Sequence, residues 1–191
     1  MGDKSYAMQQ KEQGKKIIIT INGSYRPHVG FTGKCLKAKA KQLSKKINGV
    51  AFHMTIRDEM TACRACHECQ DPCIIGDDLH QFIENIDVAD VVLFGSPVYL
   101  DFPSPKLLAL LSRLNCKAES TNRRFFKGKE AHILATGYCS GTKSVCHTIM
   151  GACEMLGFTI PGRSTYEYIQ LWKDKKIRGG YKEDACFFKE K

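Results

Sequence analysis

Three short apolar runs, each opening into a loop of glycine and hydroxyl residues and each followed by helical periodicity, restrict this chain to few folds. They are IIITING from Ile17, VVLF from Val91, which enters GSPVYLDFPSP, and AHILATG from Ala131. An apolar, β-branched stretch of this length reads as a strand buried on both faces, as in a parallel sheet covered by helices. After the first run, Leu36, Ala40, Leu43 and Ile47 recur at helical spacing over residues 32–48, with lysines over the remaining positions. Val50 to Ile56 is β-prone and makes a second strand. Leu79, Phe82, Ile83 and Ile86 give a second helix, with Asp77 and Asp78 suited to its cap and first turn. Leu107, Leu108, Leu110, Leu111 and Leu114 give a third helix. Val145, Ile149, Cys153 and Leu156 give a fourth that Gly157 stops, and Phe158 to Ile160 starts the last strand. The alternation predicts an α/β fold, a doubly wound five-stranded parallel sheet of order 2-1-3-4-5 with helices on both faces.

The chain divides into a polar, flexible tail over residues 1–14, one domain over 15–170 with a cysteine-rich loop at 61–76, and a basic extension over 171–191. No apolar run reaches signal-peptide length or the eighteen residues of a membrane span, so a cytoplasmic protein without a membrane partner is expected. Lys and Arg number 29 against 20 Asp and Glu, a formal charge of +9. Such a balance attracts phosphates or an acidic redox partner. Nucleic acid is the lesser reading, because no recognised motif or interleaved aromatic stripe accompanies the charge.

In a doubly wound sheet the ligand lies beyond the carboxyl ends of the strands. Three loops leave those ends. In SYRPHVGFTG, Ser24, Arg26, Gly30, Phe31 and Thr32 precede a helix, whose N-terminal N–H groups suit a phosphate. The fingerprints of dinucleotide and P-loop sites are absent from it. The second loop offers Pro97, Val98, Tyr99 and Leu100, and the third Thr136, Gly137 and Gly141; between them a flat, electron-poor ring would be held by backbone N–H groups at its edge.

Cys63, Cys66, Cys69 and Cys73 place four thiols in eleven residues, too dense for a disulfide framework in a chain without an export signal. Four thiolates complete a [4Fe-4S] cubane, and two-residue gaps carry successive ligands to different corners. CxxCxxCxxxC is also the ferredoxin run, whose fourth cysteine serves the other cluster in two-cluster ferredoxins. Zinc, which favours two CxxC pairs on separate arms, and uncoordinated thiols are the alternatives. His67, inside the cysteine loop, reads either as a ligand or proton donor or, more commonly for a lone histidine, as a plain exposed side chain, and His28 in the phosphate loop leaves the same choice open. Cys35, Cys116 and Cys186 read as isolated, and Cys146 and Cys153 as small buried hydrophobes.

The pattern GSYR with Thr32, the cysteine loop running into IIGDDL, FGSPVY, a Leu-rich helix ending in SRL, and TG before a helix closing in LGF resembles the NADPH-dependent FMN reductase superfamily. Within it, the pattern is most similar to the iron-sulfur flavoproteins, over residues 15 to 165. The resemblance implies a flavodoxin-like fold, FMN held by the three loops, a [4Fe-4S] cluster near the flavin, and a homodimer or homotetramer. The function expected is an FMN-dependent oxidoreductase that exchanges electrons between cluster and flavin, fed by ferredoxin or NAD(P)H, with no acid-base catalytic residue. The alternatives are a cluster-free NAD(P)H-dependent FMN or quinone reductase, and a non-catalytic carrier or zinc-stabilised binding module.

Overall fold

In the computed structural model, which describes residues 4–26, 30–69, 73–138, 140–162, 164–170 and 177–178, the first apolar run is β1 (Lys16–Asn22). It pairs in parallel with β2 (Gly49–Thr55) on one side and β3 (Val91–Pro97) on the other. β3 pairs with β4 (Glu130–Gly137) and β4 with β5 (Thr165–Gln170), again in parallel, which gives the expected five-strand order β2-β1-β3-β4-β5. A two-residue strand β6 (Ile177–Arg178) adds an antiparallel edge. The crossovers are α2 (Phe31–Ile47), α3 (Leu79–Val88), α4 (Pro105–Ser120) and α5 (Thr142–Leu156).

Alternate residues of β1 serve opposite layers, as the pleat requires. Ile17, Ile19 and Ile21 join the larger core with Leu107, Leu110, Leu114, Val145 and Ile149 from α4 and α5. Ile18 joins Leu93, Leu134 and Tyr166 beneath Leu36 and Leu43 of α2. Gly95 is what lets α2 lie so close, since a Cβ there would run into the Leu36 side chain. Gly157 closes α5 in the left-handed region (φ 101°), its N–H bonded to the Cys153 and Glu154 carbonyls.

Two expectations are corrected. Residues Lys4–Glu12 of the supposed tail form a helix, α1. Its sequence shows no apolar stripe, but Ala7 is buried, Tyr6 meets Phe52 edge-on at 6.0 Å, and Lys11 Nζ donates to the Val88 carbonyl at 3.2 Å. The last parallel strand begins later than Phe158. Residues 158–160 contribute the single bridge of Thr159 to Glu130, while Phe158 turns into the core against Phe94 and Phe126, with ring centroids 5.8 and 4.7 Å away. Pro161, which has no N–H to donate, then interrupts the ladder.

Pro27, His28, Gln70, Asp71, Pro72, Cys139 and Cys186 lie outside the described residues, as does the 171–191 extension apart from β6. Among the described residues, no helix is long and apolar enough to cross a membrane.

Candidate cofactor site and cysteine loop

Register sets the three loops side by side, with Asn22 opposite Gly95 and Pro97 opposite Thr136. They enclose a cavity of about 540 Å³ lined by Ser24, Arg26, Gly30, Phe31, Thr32, Lys34, Pro97, Val98, Tyr99, Thr136, Gly137 and Tyr138. Ten of the twelve residues expected at a cofactor are therefore neighbours. Leu100 and Gly141 do not line it. Leu100 is 94% exposed at the tip of a turn in which the Tyr99 and Phe102 backbones bond each other, and it and Asp101 have positive φ (49° and 63°). Gly141, at φ 80°, caps α5 beside Asp101 and Val98.

The loops are braced against one another. The Asn22 side chain accepts from the Ser24 N–H at 3.0 Å, and Ser24 Oγ accepts from the Arg26 N–H at 3.1 Å. The Gly30 N–H returns to the Arg26 carbonyl at 2.8 Å. A Cβ on Gly30 would collide with that carbonyl oxygen, so the turn into α2 needs glycine. Thr32 and Thr136 hydroxyls share a hydrogen bond of 2.6 Å, tying the first turn of α2 to the end of β4, and the Val98 N–H reaches the Thr136 carbonyl at 2.8 Å. Among the described residues no side chain caps α2, and no acidic residue lines the cavity. Arg26, Lys34 and the helix N-terminus thus present positive potential to one place, which suits a phosphate. Tyr25 and Tyr99 meet edge-on at 6.2 Å; burial, then Tyr25, pushes the Tyr99 hydroxyl above its ordinary pKa.

The cysteine segment leaves β2 and lies over α4. Arg113, 1% exposed, fastens both of its ends: Nη1 donates to the Thr61 carbonyl at 3.3 Å and Nη2 to the Ile75 carbonyl at 3.3 Å. The same two nitrogens hold the Asp77 carboxylate bidentately at 2.8 and 3.2 Å. Burial works against the Arg113 charge, but hydrogen bonding and attraction from Asp77 outweigh it and raise the pKa. Asp77 was expected as a helix cap; it does accept from the Leu79 N–H at 3.2 Å, yet its larger commitment is to Arg113. Next to it in α4, Ser112 Oγ accepts from the Cys63 N–H at 3.1 Å.

Cys63, Cys66 and Cys69 are exposed and Cys73 is half-buried against the core. Ala65 and His67, between them, take positive φ (51° and 59°), and the Ala65 N–H donates to Cys63 Sγ at 3.4 Å. Among the described residues, no three Cys, His, Asp or Glu side chains already stand gathered as a metal centre. The donor chemistry nevertheless suits an anionic, sulfur-rich group. Among the described residues, Arg113 Nε is buried without a hydrogen-bond partner, and the same side chain interacts with Cys73. Cys116 of α4 is not isolated: Cys69 and Cys73 are its electrostatic neighbours, and burial, followed by those neighbours, pushes its pKa up to about 12.

With this geometry in place, likeness to known proteins becomes informative. The family model for NADPH-dependent FMN reductase matches residues 17–168. The chain belongs to this family. Among curated relatives, an iron-sulfur flavoprotein of Methanocaldococcus jannaschii is 27% identical over 124 residues, 63% of this chain and 61% of its own length. A second from that organism is 29% identical over 98 residues, 50% of each chain, and one from Methanosarcina thermophila is 36% identical over 58 residues, 29% of this chain and 30% of its own. The matches thus span 61%, 50% and 30% of these relatives' own lengths. Among solved structures, the apo form of an NADH:FMN oxidoreductase superposes with a TM-score of 0.60 at 16% identity, covering 80% of this chain and 75% of that one. An archaeal flavodoxin gives 0.56 at 12%, covering 89% of each. At such identities these likenesses show the fold, which is flavodoxin-like.

For this member of the FMN reductase family, sequence reasoning missed Lys34 and Tyr138 at the cavity and Ser112, Arg113 and Cys116 under the cysteine loop. Lys34 carried a signal: a cation in the first turn of a helix opposes the helix dipole unless an anion binds there. The contribution of α4 had none, since the loop and the helix are joined only by tertiary packing.

Proposed function

We propose that this chain is an FMN-dependent oxidoreductase that also carries an iron-sulfur cluster in the 63–73 loop. Family membership supports FMN as cofactor. The observation that carries the reading is one shared cavity in which a helix N-terminus, uncapped among the described residues, and two cations face Tyr99 and Tyr138. Its volume is of the size usual for small-molecule sites.

In this reading Ser24, Arg26, Gly30, Phe31, Thr32 and Lys34 hold the phosphate. Pro97, Val98, Tyr99, Thr136 and Gly137 flank the ring, with Leu100 and Gly141 at the edge of the turn and of α5. Bound FMN would supply storage of two electrons and their release singly or as a pair. The chain's own part is placement: the Thr32–Thr136 bond keeps the phosphate end and the ring end in fixed relation, and Arg26 and Lys34 neutralise the phosphate charge. Cys63, Cys66, Cys69 and Cys73 are the thiols that this loop brings to a cluster, with the buried Arg113 beside them. The names of the relatives support iron-sulfur chemistry, and the positive surface suits an acidic donor such as ferredoxin, or NAD(P)H. A homodimer or homotetramer accompanies this reading.

A cluster-free NAD(P)H-dependent FMN or quinone reductase is the second reading, favoured by the exposure of Cys63, Cys66 and Cys69. Anaerobic purification followed by an absorption spectrum and assays of flavin, iron and acid-labile sulfide separates the two. Flavin with about four irons per chain is the expected result. Flavin with no iron or sulfide selects the second reading, and zinc without flavin overturns both.

A further inference from the structure

We propose that Cys116, a helix residue 43 positions beyond the end of the cysteine run, is the fourth iron ligand, in place of Cys73. This rests on the cluster reading above.

The spacing of the run raises the need. When CxxCxxC is followed by a three-residue gap, as here, the fourth thiol of a two-cluster ferredoxin goes to the other cluster, and a cysteine from elsewhere in the chain completes the first. This run has that gap between Cys69 and Cys73, so Cys63, Cys66 and Cys69 form the natural set of three. The structure supplies a distant cysteine at the right place. The Cys116 thiol lies on the α4 face under the loop, near enough to Cys69, the last of the three, and to Cys73 to feel both electrostatically. It sits one helical turn from Ser112, which holds the Cys63 backbone, and three residues from Arg113, which fastens Thr61 and Ile75. Residues three and four apart share one helix face, so the face that anchors the loop also presents the thiol.

The second, independent observation is the orphaned donor. Arg113 is 1% exposed, its two Nη nitrogens are satisfied, and among the described residues its buried Nε has no hydrogen-bond partner. An unmade hydrogen bond there is costly. A sulfide or thiolate of an anionic cluster seated over Cys116 offers the missing acceptor. Cys73, already in contact with Arg113 and packed against the core, remains a neighbouring thiol that lines the seat.

The test compares the full-length wild type with Cys116→Ser, Cys116→Ala and Cys73→Ser, each reconstituted anaerobically with ferrous iron and sulfide. Iron and sulfide content and the EPR spectrum are read, with FMN content and urea midpoint as folding controls. The expected result is a full cluster in Cys73→Ser and loss of one iron or of the whole cluster in both Cys116 variants, at unchanged FMN content. A full cluster with an unchanged spectrum in the Cys116 variants overturns the proposal, as does loss in Cys73→Ser, which is informative even where the Cys116 variants fold poorly. Failure of the underlying cluster reading looks different, because the wild type itself then takes up flavin without iron or sulfide.

Discussion

Replacing Arg113 with alanine removes a guanidinium that is 1% exposed and joined to four groups: the Asp77 carboxylate, the Thr61 carbonyl, the Thr61 hydroxyl at 3.4 Å and the Ile75 carbonyl. The Asp77 side chain, 7% exposed, would be left as an uncompensated buried charge with two stranded carbonyls. Breaking a buried pair in this way costs about 3–5 kcal/mol, far above the ~0–1 kcal/mol of a surface pair. With an m-value of about 2–3 kcal/mol/M, the urea midpoint falls by roughly 1–2.5 M. Circular dichroism in urea on the apo-protein measures it, and hydrogen exchange should show faster opening of residues 61–77 than of β1 and β3. Arg113→Ala combined with Asp77→Ala should lose less than the sum of the single changes, because neither charge is then abandoned. A loss below about 1 kcal/mol in Arg113→Ala, or strict additivity in the pair, refutes the view that this contact closes the cysteine loop.

Lys34→Ala should weaken FMN binding about tenfold, ~1.4 kcal/mol, with the deficit shrinking as salt is raised, whereas Lys41→Ala on the exposed face of α2 should leave it unchanged; fluorescence titration of the apo-protein decides, and equal effects argue against a phosphate at Lys34. His132 and His53 are both held below their ordinary 6.5, chiefly by burial. On acidification the unfolded chain takes up these protons first, so their contribution to stability is complete above about pH 6.5 and is lost as the pH falls through and below that value toward the folded pKa values. The urea midpoint should therefore drop between pH 7.5 and 5, less steeply in His132→Gln, and a midpoint that rises on acidification contradicts the burial argument.

The parallel strands were legible because residues such as Ile17 to Ile21 are buried from both sides and so need no polar alternation. The cavity followed from where those strands end: register brings Asn22 level with Gly95 and Pro97 level with Thr136, and chain order suffices to infer it. What stayed hidden depends on contacts without a local trace. α1 shows only Ala7 buried, between Tyr6 and Met8 in a mostly polar stretch, and the value of that contact lies in α3 and β1. Cys116 looked isolated because 46 residues separate it from Cys69, and only the packing of α4 under the loop removes that distance. Leu100 was grouped with its neighbours by sequence adjacency, but positive φ turns it outward while Tyr99 stays at the cavity.

α4 begins at Ser104, whose hydroxyl accepts from the Leu107 N–H and whose own N–H is held by Ser96 Oγ at 2.8 Å, so its first turn is bolted to the strand that ends at the cavity. Its other end carries Ser112, Arg113 and Cys116. The helix is therefore a ruler graduated in residues, and twelve steps of 1.5 Å set the two ends about 18 Å apart along its axis. Inserting four residues between them would carry the thiol on by ~6 Å and swing it ~40° around that axis, while every side chain in both places kept its identity.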